Sequence, residues 1–553
     1  MIIARGARAW RALGVMLVVA VAGSAVAGNA TKPTPVPAGE SIYRFGLLPS
    51  GRPLHGERAA GQHVDGIDAA CLNCHRRSGL GAVEGRNYIP PITGQFLFHI
   101  KASNAKDLDL PYVEGMHANR EPYSEEALAR AIREGLAPDG HKLGVLMPHY
   151  ALDDADMSDL IGYLKQLTIT HVPGVSDSEL QFATVITPDA DPAKRAGMLA
   201  VLNEYFAEKN ATVRAISPHL HSYRNVGTDM FRAQRRWQLH VWELTGPPVT
   251  WDAQLQRHLA AEPVFAMISG LGGSNWAPVH HFCEQASLPC LFPNVELPVV
   301  AEGDFHSMYF TKGVLLEAGL IGSQLPDLEP NAGIRRVVQI YRGADVGAGA
   351  AQALDVTART LGLQVVHRTL PAGGRKGDIG AALKDLGPSD ALVLWLRPKD
   401  LAALSPTTPP VARVWMSGQM GGLESAPIPT AWRAGVHMAY PYDLPDRRLV
   451  RLDYPMGWFR IRRIPVTDFQ VQADTYLACG LISETLNHLV DTFIRDYLLE
   501  RIEQMLEHRV LTGYYPRLTL APGQRFASKG GFIVHFVGPT GSKIAPDGDW
   551  IVP

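Results

Sequence analysis

Cys71-Leu72-Asn73-Cys74-His75 sets two thiols three positions apart with an imidazole directly after the second. Two thiols on one helical turn can add to the two vinyl groups of a haem. The adjacent His75 then meets the iron from the same side. This spacing is the attachment signature of c-type haem. Two other chemistries share part of the pattern. A redox dithiol wants a thioredoxin-like strand ahead of it and has no use for His75. A zinc site needs a second ligand pair at similar spacing, and none follows.

A haem iron held by one imidazole also calls for an apolar pocket and a ligand on its far face. Downstream, Met147-Pro148-His149-Tyr150 leads into Asp153-Asp154-Ala155-Asp156. Asp153 is a good N-cap, and the acids of the first turn suit the helix dipole. Met157, Leu160, Ile161, Leu164 and Leu167 then fall on one helical face. Met147, His149 and His141 all stand near enough in sequence to supply the distal ligand.

With these elements in place, residues 39–168 resemble a class I cytochrome c domain. A helix from Gly39 to Gly46, carrying Tyr43 and Phe45, precedes the haem motif. A proline-containing loop from Tyr88 to Gly94, the Met-Pro step and a C-terminal helix follow it. The resemblance implies an all-α domain with one haem c attached at Cys71 and Cys74. It makes His75 and Met147 the axial ligands and leaves His141 and His149 as rivals. The family often has a tryptophan at the haem propionates, but none occurs between Gly39 and Arg236.

Residues 169–177 read as a short linker, and composition changes beyond it: apart from Trp10, every tryptophan lies at or after Trp237. Apolar strand-like runs (Phe182 to Ile186, Trp237 to Leu244, Val264 to Ser269, Cys290 to Phe292) alternate with amphipathic helices. A second series runs from Val337 to Tyr440. Alternation of this kind argues for parallel sheets joined by crossover helices. Two series with a break near Asn331 predict two α/β lobes within 178–553. This part resembles the type I periplasmic solute-binding proteins of the branched-chain amino-acid and amide group. The resemblance is carried by Ala261 to Trp276, Leu288 to Pro293, Arg335 to Tyr341 and a final strand pair at Phe532 to Phe536 and Asp549 to Val552.

In open α/β sheets ligands bind beyond the carboxyl ends of strands. That rule selects Ser274 and Asn275, Asn294 and Glu296, Tyr341 and Arg342, and Ser417 and Gln419. The expected ligand contacts are Ser274, Asn275, Tyr341 and Gln419. Where the family uses a hydroxyl pair for a ligand carboxylate, this chain has Gly273-Ser274-Asn275. Cys283 and Cys290 stand as either a disulfide or two buried thiols. His280, His281 and Cys283 make a poor metal cluster, because adjacent histidines diverge on a helix. His219 and His221 would share a strand face but lack a third ligand. G-x-S-x-G and H-E-x-x-H are both absent, and no catalytic residue is expected.

Residues 1–27 have the form of a secretory signal, with Arg5, Arg8 and Arg11, an apolar run from Leu13 to Ala22, and Ala25-Val26-Ala27 as the cleavage pattern. The apolar run is shorter than the ~20 residues a membrane span requires. Residues 28–38 are a leader, and periplasmic location follows. Of 553 residues, 46% are hydrophobic and 19% charged, with mean hydropathy −0.03. These values exclude both a disordered chain and a polytopic membrane protein. The formal charge of −2 gives no general attraction to nucleic acid or anionic lipid. The expected function is one-electron transfer through a His/Met-ligated haem. The second body would dock a redox partner such as a periplasmic dehydrogenase, or sense a small molecule. The alternatives are the receptor of an ABC-type importer with an accessory haem domain, and a redox enzyme using the haem as a relay.

Overall fold

The computed structural model describes residues 36–553 except 59–60, 85–86, 99–120, 168–171, 217–234, 327–332, 373–375, 490–491, 507–511 and 539–542. The expected signal segment, His219, His221 and Asn331 lie outside the described residues.

The N-terminal unit is built on a helix crossing. Helix Ala38–Phe45 packs against helix Asp154–Gln166, and Gly39 makes the approach possible. A Cβ there would lie 2.1 Å from the Asp159 carbonyl oxygen. Tyr43 and Tyr163 meet across the crossing with ring centroids 5.3 Å apart. Asp153 caps the second helix by accepting from the Asp156 N–H at 2.8 Å, and Ser124 caps helix Glu125–Glu134 in the same way. Met157, Leu160, Ile161 and Leu164 are all buried, as their spacing predicts.

The unit is not all-α as expected. Strands β1 (His55–Arg58), β2 (Gln62–Asp65) and β5 (His149–Tyr150) form a three-stranded antiparallel sheet, and β3 (Ala82–Glu84) pairs with β4 (Asn87–Ile89). The long connections between helices lie against the unit, and their backbone polar groups must find partners. Short ladders supply them.

The larger body has two parallel sheets. In the first, β6 (Glu179–Ile186), β7 (Arg236–Glu243), β8 (Ala266–Ile268), β9 (Cys290–Leu291) and β10 (Ser307–Met308) run in the order 10-9-8-6-7. The second comprises β11 (Arg336–Arg342), β12 (Gln364–Leu370), β13 (Asp390–Trp395), β14 (Arg413–Ser417), β15 (Val436–Tyr440), β16 (Phe532–Val537) and β17 (Lys543–Pro546). Its order is 12-11-13-14-15-16-17, and the last two strands are antiparallel. Every residue of β13 is buried, as a central parallel strand covered on both faces requires. The partner of β16 is therefore 543–546 and not Asp549 to Val552. Of the latter, Ile551 makes a single bridge to Gly531.

The break between lobes also falls earlier than expected. Helix Val314–Gln324 shares a buried cluster with Val337, Ala350 and Trp395 of the second lobe, so the chain crosses at Thr311–Gly313. Gly313 has φ +56°, and a Cβ there would lie 2.1 Å from the Glu296 carbonyl oxygen. The chain returns after Tyr440, where helix Pro445–Arg462 buries Phe459 against Val201 of the first lobe. It crosses again between Phe526, stacked on Tyr309, and β16. Helices Phe469–Leu489 and Arg495–Leu506 thus cover the first lobe although they follow the second in sequence. No helix among the described residues is long and apolar enough to cross a membrane.

Candidate functional site

The first site forms on the turn Leu72–His75. Cys71 starts it, accepting from the His75 N–H at 2.9 Å, and Arg76 ends it with φ +64°. Cys71 and His75 are buried, and Cys74 is half-buried. The His75 Nδ1 lies 2.9 Å from the Pro90 carbonyl oxygen. A carbonyl only accepts, so Nδ1 carries the proton and Nε2 keeps a free lone pair. Burial also lowers the His75 pKa, against the pull of that hydrogen bond, which favours the neutral ligand form. Burial pushes the Cys71 thiol up to about 12.

The loop that supplies Pro90 is folded back by glycines. Gly81 has φ +71°, and a Cβ there would lie 2.0 Å from the Ile89 carbonyl oxygen. Ile92 N–H donates to the Gly79 carbonyl at 2.8 Å, and Tyr43 donates its hydroxyl proton to the Arg76 carbonyl at 2.7 Å. Met147 is half-buried against the cluster that contains Cys71, Leu97 and Tyr150. His141 is exposed and 2.5 Å from Asp139. His149 is exposed in β5, with its ring over Gly135. The donor set of two thiols, an imidazole with a free Nε2 and a half-buried thioether fits a c-type haem.

This site abuts the larger body. Arg77 donates to Asp496 at 3.1 Å and lies 4.5 Å from the Phe305 ring centroid. Ser78 donates its N–H to Glu500 at 2.9 Å, and its hydroxyl is 2.5 Å from the second carboxylate oxygen. Leu80 and Phe96 are buried in one cluster with Val172, Phe265 and Phe493. Desolvation pushes the Glu500 carboxyl up to about 8, opposed by the Ser78 hydrogen bonds and reinforced by Asp496 and Glu503.

The second site is the cleft between the lobes, a cavity of about 1210 Å³. Of the expected ligand residues, Ser274 and Gln419 line it, as do Asn294 and Glu296. Asn275 and Tyr341 are not in its lining. Asn275 accepts from the Ala277 N–H at 3.0 Å, and Tyr341 packs edge-on against His367. Arg342 forms a two-pronged pair with Asp400, and Ser417 donates to buried Glu317. The Gln419 N–H donates to the other Glu317 oxygen at 2.8 Å, which fixes that turn. Arg397 holds Asp345 of its own lobe at 2.7 Å and reaches across to Glu296 of the first lobe at 2.6 Å, while Lys194 bonds Glu296 at 3.0 Å.

Asp189, Asp474 and the aromatic wall of Tyr442, Tyr514 and Tyr515 also line the cleft, and no sequence expectation named them. Two signals were available. Asp189 follows β6 at its carboxyl end, where the strand-end rule applies. Asp474 is a buried acid near the start of the largely apolar helix Phe469–Leu489. Cys283 and Cys290 are both buried free thiols. Near them, His280 is 2.8 Å from both the Tyr309 hydroxyl and Asp304.

Each half is similar to proteins already known. Residues 59–168 match the family model for cytochrome c. The larger body is similar to solved solute-binding structures. A leucine-binding protein, LivK, from Thermotoga maritima shares 14% identity over 68% of this chain and 99% of its own, with TM-score 0.46. A fatty acid ABC transporter substrate-binding protein from Thermomonospora curvata shares 15% over 70% and 95%, with TM-score 0.47. A branched-chain amino acid ABC transporter structure with bound valine from Thermus thermophilus shares 11% over 68% and 98%, with TM-score 0.49. No curated protein matches the chain.

Proposed function

We propose that this protein is an exported mono-haem c-type cytochrome whose two-lobed body takes a small solute, and that it exchanges one electron with a periplasmic redox partner such as a dehydrogenase. The observation that carries this reading is the seating of the haem motif. His75 has Nδ1 committed to Pro90 and Nε2 free, and Met147 packs into the cluster around Cys71. Cys71 and Cys74 would hold the haem covalently, with His75 and Met147 as axial ligands. When bound, the haem supplies a one-electron ferric–ferrous couple. The chain fixes the imidazole tautomer, excludes water with the cluster around Ile42, Leu97 and Leu160, and holds the motif against the first lobe through Arg77 and Ser78. A pyridine haemochrome assay on periplasmic material tests the reading. One covalent haem per chain is expected, and none would overturn it.

A further inference from the structure

We propose that the cleft takes a protonated amine with an apolar body and no carboxylate. This rests on the solute-binding reading above and deepens it. The argument is a count of who still lacks a hydrogen-bond partner in the cavity wall. Among the described residues, every cationic side chain of its lining already has an acid. Arg397 holds Glu296 and Asp345, Lys194 holds Glu296, and Arg448 holds Glu424.

The donors that could greet a ligand anion at the carboxyl end of the first sheet are also consumed. Both the N–H and the hydroxyl of Ser274 donate to Asp189 at 2.7 Å. The Thr187 hydroxyl donates to the other Asp189 oxygen at 2.7 Å and itself accepts from the Gly273 N–H. A Cβ on Gly273 would lie 2.2 Å from the Asp189 carboxyl carbon, so the carboxylate sits directly over that turn. Burial alone would raise the pKa of Asp189, yet hydrogen bonds from Ser274 and Thr187 bring it below the usual carboxylate range. The protein has placed its own anion at this turn.

What remains unmet is the acceptors. Asp474 is 6% exposed, and its Oδ1 has no partner, while Oδ2 accepts from the Tyr515 hydroxyl at 3.2 Å. The Gln419 Oε1 is also buried without a partner, although its Nε2 donates to the Tyr442 hydroxyl at 2.8 Å. Lone buried acceptors in a cavity are satisfied by a ligand that brings N–H donors. Around them stands an aromatic wall. Tyr442 lies 5.5 Å from Tyr514 and 5.7 Å from Tyr515, and Phe310 packs on Tyr515 at 5.4 Å. Such rings favour a cation and bury an apolar body. Desolvation pushes the Asp474 carboxyl up to about 8, with Asp468 adding to the rise. A bound ammonium would restore the charge and release the proton.

Isothermal titration of the full-length holo-protein with 2-phenylethylamine, 2-phenylethanol, 3-phenylpropanoate and L-phenylalanine tests the assignment. The amine is expected to bind at least tenfold more tightly than the other three. At pH 7 it should release a proton, seen as a heat that differs between phosphate and Tris buffers. Asp474→Asn should weaken the amine at least tenfold. Asp189→Ser, which frees the Ser274 donors, should open the cleft to 3-phenylpropanoate. Tighter binding of either carboxylate or of the alcohol by the native protein would overturn the amine class and leave solute binding intact. Amine binding undiminished in Asp474→Asn would overturn it too. Binding of none of the four would overturn the amine assignment and leave the cytochrome reading to its haemochrome test.

Discussion

The haem motif and the interlobe cleft are opposite ways of making a site. The first would take its covalent chemistry from five consecutive residues, to which tertiary structure adds a carbonyl on the His75 ring and a dry surround. The cleft gathers side chains from both lobes and from helices that follow the second lobe, with Asp189, Gln419 and Asp474 far apart in sequence. A site written in contiguous residues depends on local spacing. A site assembled from distant segments depends on the closure that brings them together.

The comparison breaks most sharply at the thiols. Replacing Cys71 and Cys74 together by Ala should abolish covalent haem, leaving no pyridine haemochrome signal in the extracted protein. Next, Met147→His should retain attachment but lose the thioether-to-ferric-iron charge-transfer band. The midpoint potential should fall, because Met/His ligation raises it relative to bis-His. Protein-film voltammetry reads that shift. If either histidine rival were the native ligand, the band would be absent from the wild type.

The cleft should answer to a change at its seam. Arg397→Ala removes the bond to Glu296 that crosses between the lobes, a loss of about 1.5–3 kcal/mol for a charged hydrogen-bonding group. Small-angle scattering should show a larger radius of gyration than for the native protein. A further effect lies where the two regions meet. The Glu500 carboxyl has a folded pKa of about 8, raised above its unfolded value. Its contribution is therefore fully present below about pH 4 and is lost as pH rises through 8. The melting temperature should fall over that range, and Glu500→Gln should flatten the fall and exceed the native value at pH 8.5.

The same contrast explains what could be read in the sequence. Cys71, Cys74 and His75 stand out in the sequence because vinyl addition and iron ligation would demand that adjacency. The alternating strands and helices were legible because burial on both faces makes runs such as Ala391 to Trp395 uniformly apolar. The strands of the cytochrome unit were not, since β1 and β5 pair across some ninety residues and carry no strong alternation. Tyr341 matched the strand-end rule yet missed the cleft, for the rule names an end of the sheet and not a rotamer. Asp189 and Asp474 went unnamed because their roles come from partners outside their own segments. The lobe break was misplaced because helix Val314–Gln324 belongs by packing to the strands after it.

The bond from Arg77 to Asp496 joins residues 419 apart in sequence. Synthesis runs from the N-terminus, so the haem-bearing turn emerges long before the helix against which it rests. At that stage Ser78 and Leu80 have no wall beside them, and the thiols of Cys71 and Cys74 are open to whatever machinery attaches the group. Only the last sixty or so residues bring the wall into place. A protein truncated before Arg495 is expected to carry haem on a cytochrome unit that lacks this docking wall.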